Sequence, residues 1–355
     1  MNMKSLLTKG KTLIIRADAN SRIGIGHVMR CIALAQEWTK RNGQTVLVGN
    51  ITAEAMRVTL KRFEISHVPL EQSYPNSAED MKILLAEAHK ASAGSWIALD
   101  GYFLDTAYQK AIRSEFKNTL VVDDYHHLYS YECSVLLNQN LDAENISYRI
   151  NSDATILAGA KYAMLRNEFR TARATTRKRN SKGKTKILLS MGGADPHNTS
   201  LKVLEALVPL SDQISCTLVV GPANPYMDQL DNFRQRSNMD LEILTNVEKM
   251  SDLIAGHDLL LGAGGSSCWE SCCIGTPLAI ITTAENQLEI ARALDRKGAA
   301  LYLGDAATIE NNEILTAIQE LISNRTLLDS LAEKAAETID GKGVSKIVDT
   351  LMGIE

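Results

Sequence analysis

The apolar positions of the chain alternate between two spacings. Short runs of β-branched and aliphatic residues predict strands at five places in the first half of the chain: Thr12–Arg16, Thr45–Val48, Trp96–Asp100, Thr119–Asp123 and Ser134–Leu137. Between the first two runs, apolar residues three and four positions apart from Val28 to Trp38 predict a helix with one buried face. This alternation of strands and helices is typical of parallel sheets with crossover helices.

A polar, basic segment then interrupts the pattern. Residues 171–186 contain almost no apolar side chain, and the composition favours a solvated hinge over a phosphate-binding surface. Strand-like runs resume after it, at Ile187–Ser190, Cys216–Val220, Leu241–Leu244, Leu259–Leu261 and Pro277–Ile281. A chain of 355 residues is also long for one hydrophobic core. We therefore predict an α/β protein with two doubly wound, Rossmann-like domains, residues 1–170 and 186–355, joined by a basic linker over 171–185.

Charge and composition exclude several classes of partner. The net charge of −4 argues against a nucleic-acid or membrane-surface binder, so the expected partner is a small molecule or another copy of the chain. The N-terminal segment lacks a signal-peptide pattern and no run of apolar residues is long enough to span a membrane, which predicts a cytoplasmic protein. The six cysteines form no Cys-X-X-Cys pair, so neither a disulfide framework nor a metal site is expected, and no cofactor is implied.

A Gly-X-Gly turn precedes a histidine at the start of the first helix. In Gly24-Ile-Gly26-His27 the imidazole lies at a helix N-terminus, where the dipole favours its neutral form, which can act as a general base. A capping or packed histidine is the alternative. Asp18, Asn20 and Tyr102 follow predicted strand ends and are expected to line the sugar side of a ligand site, although Tyr102 is as readily a packed aromatic.

The second half carries a longer glycine turn, Gly262–Glu270. Glycines without side chains allow the backbone N–H groups of Gly265, Ser266 and Ser267 to bind a diphosphate at a helix N-terminus, with Gly264 beside them. Glu270, one turn into the helix, can accept hydrogen bonds from a ribose diol. A capping box between Ser267 and Glu270 fits the spacing equally well.

Two further strand ends carry weaker signals. Gly192 and Gly193 allow a ligand to approach the backbone closely, although Asp195 and Pro196 equally suit a structural turn that starts a helix at Asn198. The amides of Asn286 and Gln287 have the donors and acceptors that suit sugar hydroxyl and acetamido groups.

Taken in order, these segments resemble the UDP-2,4-diacetamido-2,4,6-trideoxy-β-L-altropyranose hydrolases of pseudaminic acid biosynthesis, a nucleotide-sugar hydrolase family related to glycosyltransferases. The segments that carry the resemblance are Arg16–Ala19, Ile23–Cys31, Gly159–Arg166, Met191–Asp195, Asn246–Met250, Gly262–Glu270, Gly275–Pro277 and Glu285–Gln287. Two positions depart from the family: Asn167 stands where proline is expected, and Ser267 where threonine is usual.

The resemblance implies a glycosyltransferase-B (GT-B) fold with an interdomain cleft. It implies metal-independent hydrolysis of a UDP-sugar at the anomeric carbon, with inversion and with His27 as proton acceptor. Gly26 and Arg166 would contact the substrate, and Asn246 and Glu270 would help to bind UDP.

Three alternatives share most of these residues. A glycosyltransferase of the same fold would pass the sugar to an acceptor, and a hydrolysing 2-epimerase would change the configuration at the second carbon of the sugar. A non-catalytic nucleotide-sugar sensor would bind the ligand without releasing UDP.

Overall fold

The computed structural model describes residues 10–20, 23–71, 78–175, 183–192, 195–221 and 224–353. The chain forms two compact units: Met1–Asn167 together with Gly341–Glu355, and Glu168–Asp340. Both are α/β units built on parallel strands, as the alternation of strand and helix patterns predicts.

Within the described residues, the first unit contains one sheet of seven parallel strands in the order β3-β2-β1-β4-β5-β6-β7. The strands are β1 Thr12–Ala17, β2 Gln44–Gly49, β3 Ser66–Pro69, β4 Trp96–Asp100, β5 Thr119–Asp123, β6 Val135–Asn138 and β7 Thr155–Ala158. The helices between them are α1 Gly26–Lys40, α2 Glu54–Arg62, α3 Ala78–Lys90 and α4 Thr106–Glu115. The interior strands β4, β5 and β6 are buried along their whole length, which explains their continuous apolar runs.

The second unit repeats this architecture with six described strands in the order β10-β9-β8-β11-β12-β13. They are β8 Thr185–Ser190, β9 Ile214–Val220, β10 Asp240–Thr245, β11 Leu259–Gly262, β12 Leu278–Thr282 and β13 Leu301–Asp305. The helices are α5 Asn167–Thr175, α6 Thr199–Leu207, α7 Met227–Arg236, α8 Met250–Gly256, α9 Ser267–Ile274, α10 Leu288–Arg296, α11 Asn311–Ser323 and α12 Arg325–Thr338.

The last helix, α13 Gly343–Leu351, belongs to the first unit. Its apolar residues Val344, Ile347 and Val348 join the core that contains α1, and Asp349 accepts a 2.7 Å bond from Arg41, the residue that directly follows α1. The first unit thus runs to Asn167, near the predicted end of the first domain at residue 170, and also includes Gly341–Glu355, which the prediction gave to the second domain. The apolar spacing of a helix does not tell which sheet it packs against. The predicted linker also overlaps α5, and its residues 176–182 lie outside the described residues.

All six cysteines are buried free thiols. In the part of the chain that the structure describes, no group of three or more His, Cys, Asp or Glu side chains could hold a metal ion, and no helix is long and apolar enough to cross a membrane.

Parallel strands bring their carboxyl ends to one edge of the first sheet. Asp100, the last residue of β4, lies in register with Ala17 of β1 and Val122 of β5. The loops after β1, β4 and β5 therefore meet at the same edge, and α1 begins there at Gly26. Residues far apart in sequence share one small region of the first unit as a result.

We expect Gly343→Ala to destabilise the protein by about 1–3 kcal/mol, because a methyl group there would overlap the backbone oxygen of Ala163 and lie 2.6 Å from its nitrogen. Gly256→Ala is the control, since a methyl group on this helical glycine meets nothing within 4 Å. Its stability should stay within about 1 kcal/mol of the parent. Urea unfolding of both variants measures the difference, and equal midpoints would contradict the tight contact.

Candidate active site

A short loop presents His27 at the carboxyl edge of the first sheet. The Asn20 side chain accepts a 3.0 Å bond from Ile23 N, and Gly24 donates a 2.8 Å bond to the Asn20 backbone oxygen. Gly24 has φ of +81°, a left-handed conformation that glycine adopts without strain. The loop then enters α1 at Gly26, so His27 lies in the first turn of the helix. Asn20, predicted to contact the sugar, therefore serves to shape this loop.

The buried carboxylate of Asp100 holds the ring of His27. Oδ1 of Asp100 lies 2.6 Å from Nδ1 of His27. Because an ionised carboxylate only accepts hydrogen bonds, Nδ1 carries the proton in this pair. The other ring nitrogen, Nε2, is then the atom that can take up a proton, which is the arrangement a general base requires.

Arg30, three residues beyond His27 on α1, fixes Asp100 in turn. Its Nε lies 2.6 Å from Oδ2 of Asp100 and its Nη2 lies 2.6 Å from Oδ1, a bidentate pair. Burial alone would raise the pKa of Asp100, but the charge of Arg30 and the contact with His27 outweigh it and hold that pKa below its usual value. Nη2 also lies 3.2 Å from Nδ1 of His27. We treat this as an approach of two donors, because the shorter bond of Nδ1 goes to Asp100.

Tyr102 and Asp124 complete the network around His27. Nη1 of Arg30 lies 2.6 Å from Oδ1 of Asp124, and the hydroxyl of Tyr102 donates a 2.6 Å bond to Oδ2 of the same carboxylate. The ring of Tyr102 meets the imidazole of His27 edge-on, with centroids 4.8 Å apart. Burial and the neighbouring Asp124 raise the pKa of Tyr102, so it stays a neutral hydrogen-bond donor. The structure thus brings two of the predicted residues, His27 and Tyr102, into contact.

Asp18, by contrast, is part of a buried ion-pair network. Its Oδ1 accepts a 2.6 Å bond from Arg16 and a 2.7 Å bond from Asn50 N. Arg16 also bonds Asp80 at 2.7 Å, and all three charged side chains are buried. The carboxylate of Asp18 neutralises a buried guanidinium, and its contact with a sugar stays a prediction.

Sequence reasoning missed the acidic strand ends and their partners. These residues are Arg30, Asp100, Asp123, Asp124 and His127. Asp123 accepts 2.8 Å bonds from His127 Nδ1, from the Tyr131 hydroxyl and from the Tyr148 hydroxyl. The run of two carboxylates and two imidazoles that begins at the last residue of β5, at residues 123–127, was the available signal. Arg166, also predicted to contact substrate, is buried just before α5.

In the second unit the glycine turn opens directly into α9. The helix begins at Ser267, and the exposed Ser266 at the N-cap makes no side-chain capping bond. The helix therefore begins one residue too early for the alternative capping box of Ser267 and Glu270. A methyl group on Gly265 would meet nothing within 4 Å, whereas one on Gly264 would lie 2.9 Å from Gln287 Cβ. Gly264 is thus needed for packing, and Gly265 leaves open space above the helix N-terminus.

The other predicted residues of the second unit follow strand ends at the same edge of its sheet. Gly192, after β8, is exposed with φ of +86°, and Asn246, after β10, is exposed with φ of +54°. Gly193 lies outside the described residues. Asn286 and Gln287 form a 3₁₀ turn after β12, in which Gln287 Oε1 accepts a 2.8 Å bond from Thr283 N.

Asp195, near Gly192, bonds the first two backbone N–H groups of α6, at 2.8 Å to Thr199 and 2.9 Å to Ser200. This carboxylate satisfies the first N–H groups of α6. Asp195 thus belongs to a structural turn that starts the helix, which was the alternative to a ligand contact. Glu270 is half-buried in the first turn of α9.

Three relatives match the chain over much of its length. An uncharacterised protein of Methanocaldococcus jannaschii is 26% identical over 78% of this chain and 57% of its own length. The spore coat polysaccharide biosynthesis protein SpsG of Bacillus subtilis is 27% identical over 58% of this chain and 60% of its own. The chain thus spans less than two thirds of these two relatives. A UDP-2,4-diacetamido-2,4,6-trideoxy-β-L-altropyranose hydrolase of Campylobacter jejuni is 24% identical over 81% of this chain and 97% of its own.

Solved structures and a family model agree on the fold. MurG of Acinetobacter baumannii superposes with a TM-score of 0.67 at 15% identity, covering 97% of this chain and 100% of that chain. HepE of Anabaena in complex with UDP-glucose superposes with a TM-score of 0.62 at 14% identity, again covering 97% of this chain and 100% of that chain. These likenesses establish the GT-B fold with two Rossmann-like domains. The model of the glycosyltransferase family 28 C-terminal domain matches residues 172–351. The chain therefore belongs to the glycosyltransferase family 28 C-terminal domain family, a family of GT-B nucleotide-sugar enzymes.

Proposed function

We propose that the protein hydrolyses a UDP-linked diacetamido-trideoxy sugar in pseudaminic acid biosynthesis, releasing UDP and the free sugar. The observation that supports this proposal most is the His27–Asp100 pair, at 2.6 Å, in the first turn of α1. A hydrolase of this kind needs a base to activate water, and an imidazole oriented by a buried carboxylate is such a base. The relative from Campylobacter jejuni, which carries the name of this hydrolase, supports the same substrate.

The proposed reaction is one displacement at the anomeric carbon. Nε2 of His27 takes a proton from water while the water oxygen forms a bond to the anomeric carbon. The bond from that carbon to the phosphate oxygen breaks, its electron pair leaves with UDP, and the configuration inverts. The carboxylate of Asp100 then stabilises the imidazolium, and Arg30 keeps that carboxylate in place.

The second unit would bind UDP. In this proposal the backbone N–H groups at Gly265, Ser266 and Ser267 hold the diphosphate at the start of α9, and Glu270 holds the ribose. Gly192, Asn246, Asn286 and Gln287 follow strand ends at the same edge of the sheet. The leaving diphosphate is weakly basic, so hydrogen-bond donors suffice and no strong general acid is needed.

A glycosyltransferase is the second candidate, because MurG and HepE share the fold. UDP release without an acceptor separates the two functions. We expect fast release from UDP-2,4-diacetamido-2,4,6-trideoxy-β-L-altropyranose in EDTA, and slow release from UDP-N-acetylglucosamine. A coupled assay for UDP measures both rates. Release only when an acceptor is added would replace hydrolysis by transfer, and tight binding without release would indicate a sensor.

We expect His27→Asn to lower kcat by about 10²–10⁴-fold with little change in KM, because asparagine can still bond Asp100 but lacks the proton-accepting Nε2. Steady-state kinetics with the diacetamido substrate measures both constants. His67→Asn is the control, since this half-buried histidine of the same unit bonds only the Gly49 backbone oxygen among the described residues. Near-parental turnover in a folded His27→Asn protein would remove His27 from the reaction.

We expect Gly265→Ala to weaken UDP binding by about tenfold or more while leaving thermal stability unchanged. The new methyl group meets no protein atom within 4 Å, so the fold tolerates it, but it would occupy the space assigned to the diphosphate. Loss of even one charge-assisted hydrogen bond is worth about 1.5–3 kcal/mol, which is tenfold or more in Kd. Calorimetric titration with UDP checks this, with Gly256→Ala as control, and unchanged affinity would place the diphosphate elsewhere.

A further inference from the structure

A second histidine–carboxylate pair lies one strand away from His27 and Asp100, and the proposed reaction gives it no role. Asp123 ends β5, the neighbour of β4, and its Oδ1 lies 2.8 Å from Nδ1 of His127. Burial alone would raise the pKa of Asp123, but bonds from His127, the backbone N–H of His126 and two tyrosine hydroxyls lower it to about 2. Asp123 is therefore ionised at neutral pH and accepts the Nδ1 proton of His127.

This pairing leaves the other nitrogen of His127 as a buried acceptor. Among the residues that the structure describes, Nε2 of His127 has no hydrogen-bond partner although the atom is buried. Buried polar side-chain atoms in folded proteins are nearly always paired, with protein, water or a ligand. With the proton on Nδ1, Nε2 offers a lone pair, so its missing partner is a donor: an N–H or an O–H group.

The surroundings of His127 connect this acceptor to the base. The ring of Tyr102 lies 5.3 Å from that of His127 and 4.8 Å from that of His27, measured between centroids. Tyr125 lies 5.5 Å from His127 and 5.0 Å from Tyr102, and half of its surface is exposed. We name Tyr102, Tyr125 and His127 the aromatic cluster. Its rings adjoin the proposed base, and Nε2 of His127 is the buried acceptor in it that lacks a partner among the described residues.

An acetamido group matches this combination. Its methyl group is apolar and packs against aromatic rings, while its amide N–H is a donor for a neutral imidazole nitrogen. A hydroxyl group would satisfy Nε2 but would leave the rings without an apolar partner. The half-exposed Tyr125 is the member of the aromatic cluster that can turn aside to admit the ligand.

We propose that His127 is a substrate-contacting residue whose Nε2 accepts a hydrogen bond from the amide N–H of an acetamido group, so that the aromatic cluster selects N-acetylated sugars. The inference rests on the proposed function only in taking a nucleotide sugar as the ligand. It holds for a hydrolase or a transferase, because binding precedes either reaction.

Two substitutions separate contact with the ligand from support of Asp123. His127→Asn can still donate to Asp123 but has no atom at the position of Nε2. His127→Gln reaches that position but loses the donor to Asp123. His126→Asn is the matched control, because His126 is the exposed neighbour and its φ of +57° suits asparagine.

All three variants are tested in the His27→Asn background, in which the proposed reaction consumes the ligand at least about 10²-fold more slowly. Calorimetry gives the Kd of UDP, of UDP-glucose and of UDP-2,4-diacetamido-2,4,6-trideoxy-β-L-altropyranose. We expect His127→Asn to weaken binding of the diacetamido sugar about tenfold, the worth of one hydrogen bond, without changing the affinity for UDP. His127→Gln should recover part of this loss, and His126→Asn should change nothing.

Three results would overturn the proposal. One is full affinity for the diacetamido sugar in His127→Asn, with loss only in His127→Gln, since that pattern reduces His127 to a support for Asp123. Another is an equal loss for UDP-glucose, which has no acetamido group. The third is an equal or lower affinity of the His27→Asn protein for the diacetamido sugar nucleotide than for UDP. The proposed hydrolysis can be disproved while the proposed His127 contact stands, because none of these binding measurements depends on turnover.

Discussion

The guanidinium of Arg30, held between the carboxylates of Asp100 and Asp124, is the interaction on which the first unit's site depends. A buried charge must be paired, so this contact locks α1 to the ends of β4 and β5. Asp100 is then placed to fix the tautomer of His27, and Asp124 to hold the hydroxyl of Tyr102. Removing Arg30 would leave the carboxylates of Asp100 and Asp124 close together without the cation that the structure places between them.

The sequence pattern predicts the interior of both sheets well and their edges poorly. Strands such as β4 and β5 are buried throughout, and their uninterrupted apolar runs carry that information. Of the four edge strands among the described residues, β10 was predicted and β3, β7 and β13 were not. Strands β3 and β7 are short, each with two exposed residues, and β13 is only partly buried along its length. The helix α13 is strongly patterned, yet its place in the first unit depends on tertiary contacts such as Arg41–Asp349.

The candidate site also contains residues that local spacing reveals and residues that only the fold brings together. Local spacing suffices to single out His27, because a glycine turn before a helix is visible in the sequence. It cannot reveal Asp100 or Asp124, which lie 70 and 94 residues from Arg30. The same limit applies to Asp18: an acidic residue after a strand has the pattern of a ligand contact, whereas its bonds from Arg16 and from the backbone N–H of Asn50 are found only in the fold.

Hydrolysis and transfer on this fold differ in which nucleophile reaches the anomeric carbon, and a base oriented by a carboxylate serves either. The most direct test of attack by water is turnover of the diacetamido sugar nucleotide in H₂¹⁸O, with mass spectrometry of both products. Attack at the anomeric carbon predicts one ¹⁸O in the released sugar and none in UDP, on product examined before the free sugar exchanges its anomeric oxygen. Label in UDP, with unlabelled sugar, would show attack at phosphorus and contradict the role proposed for His27.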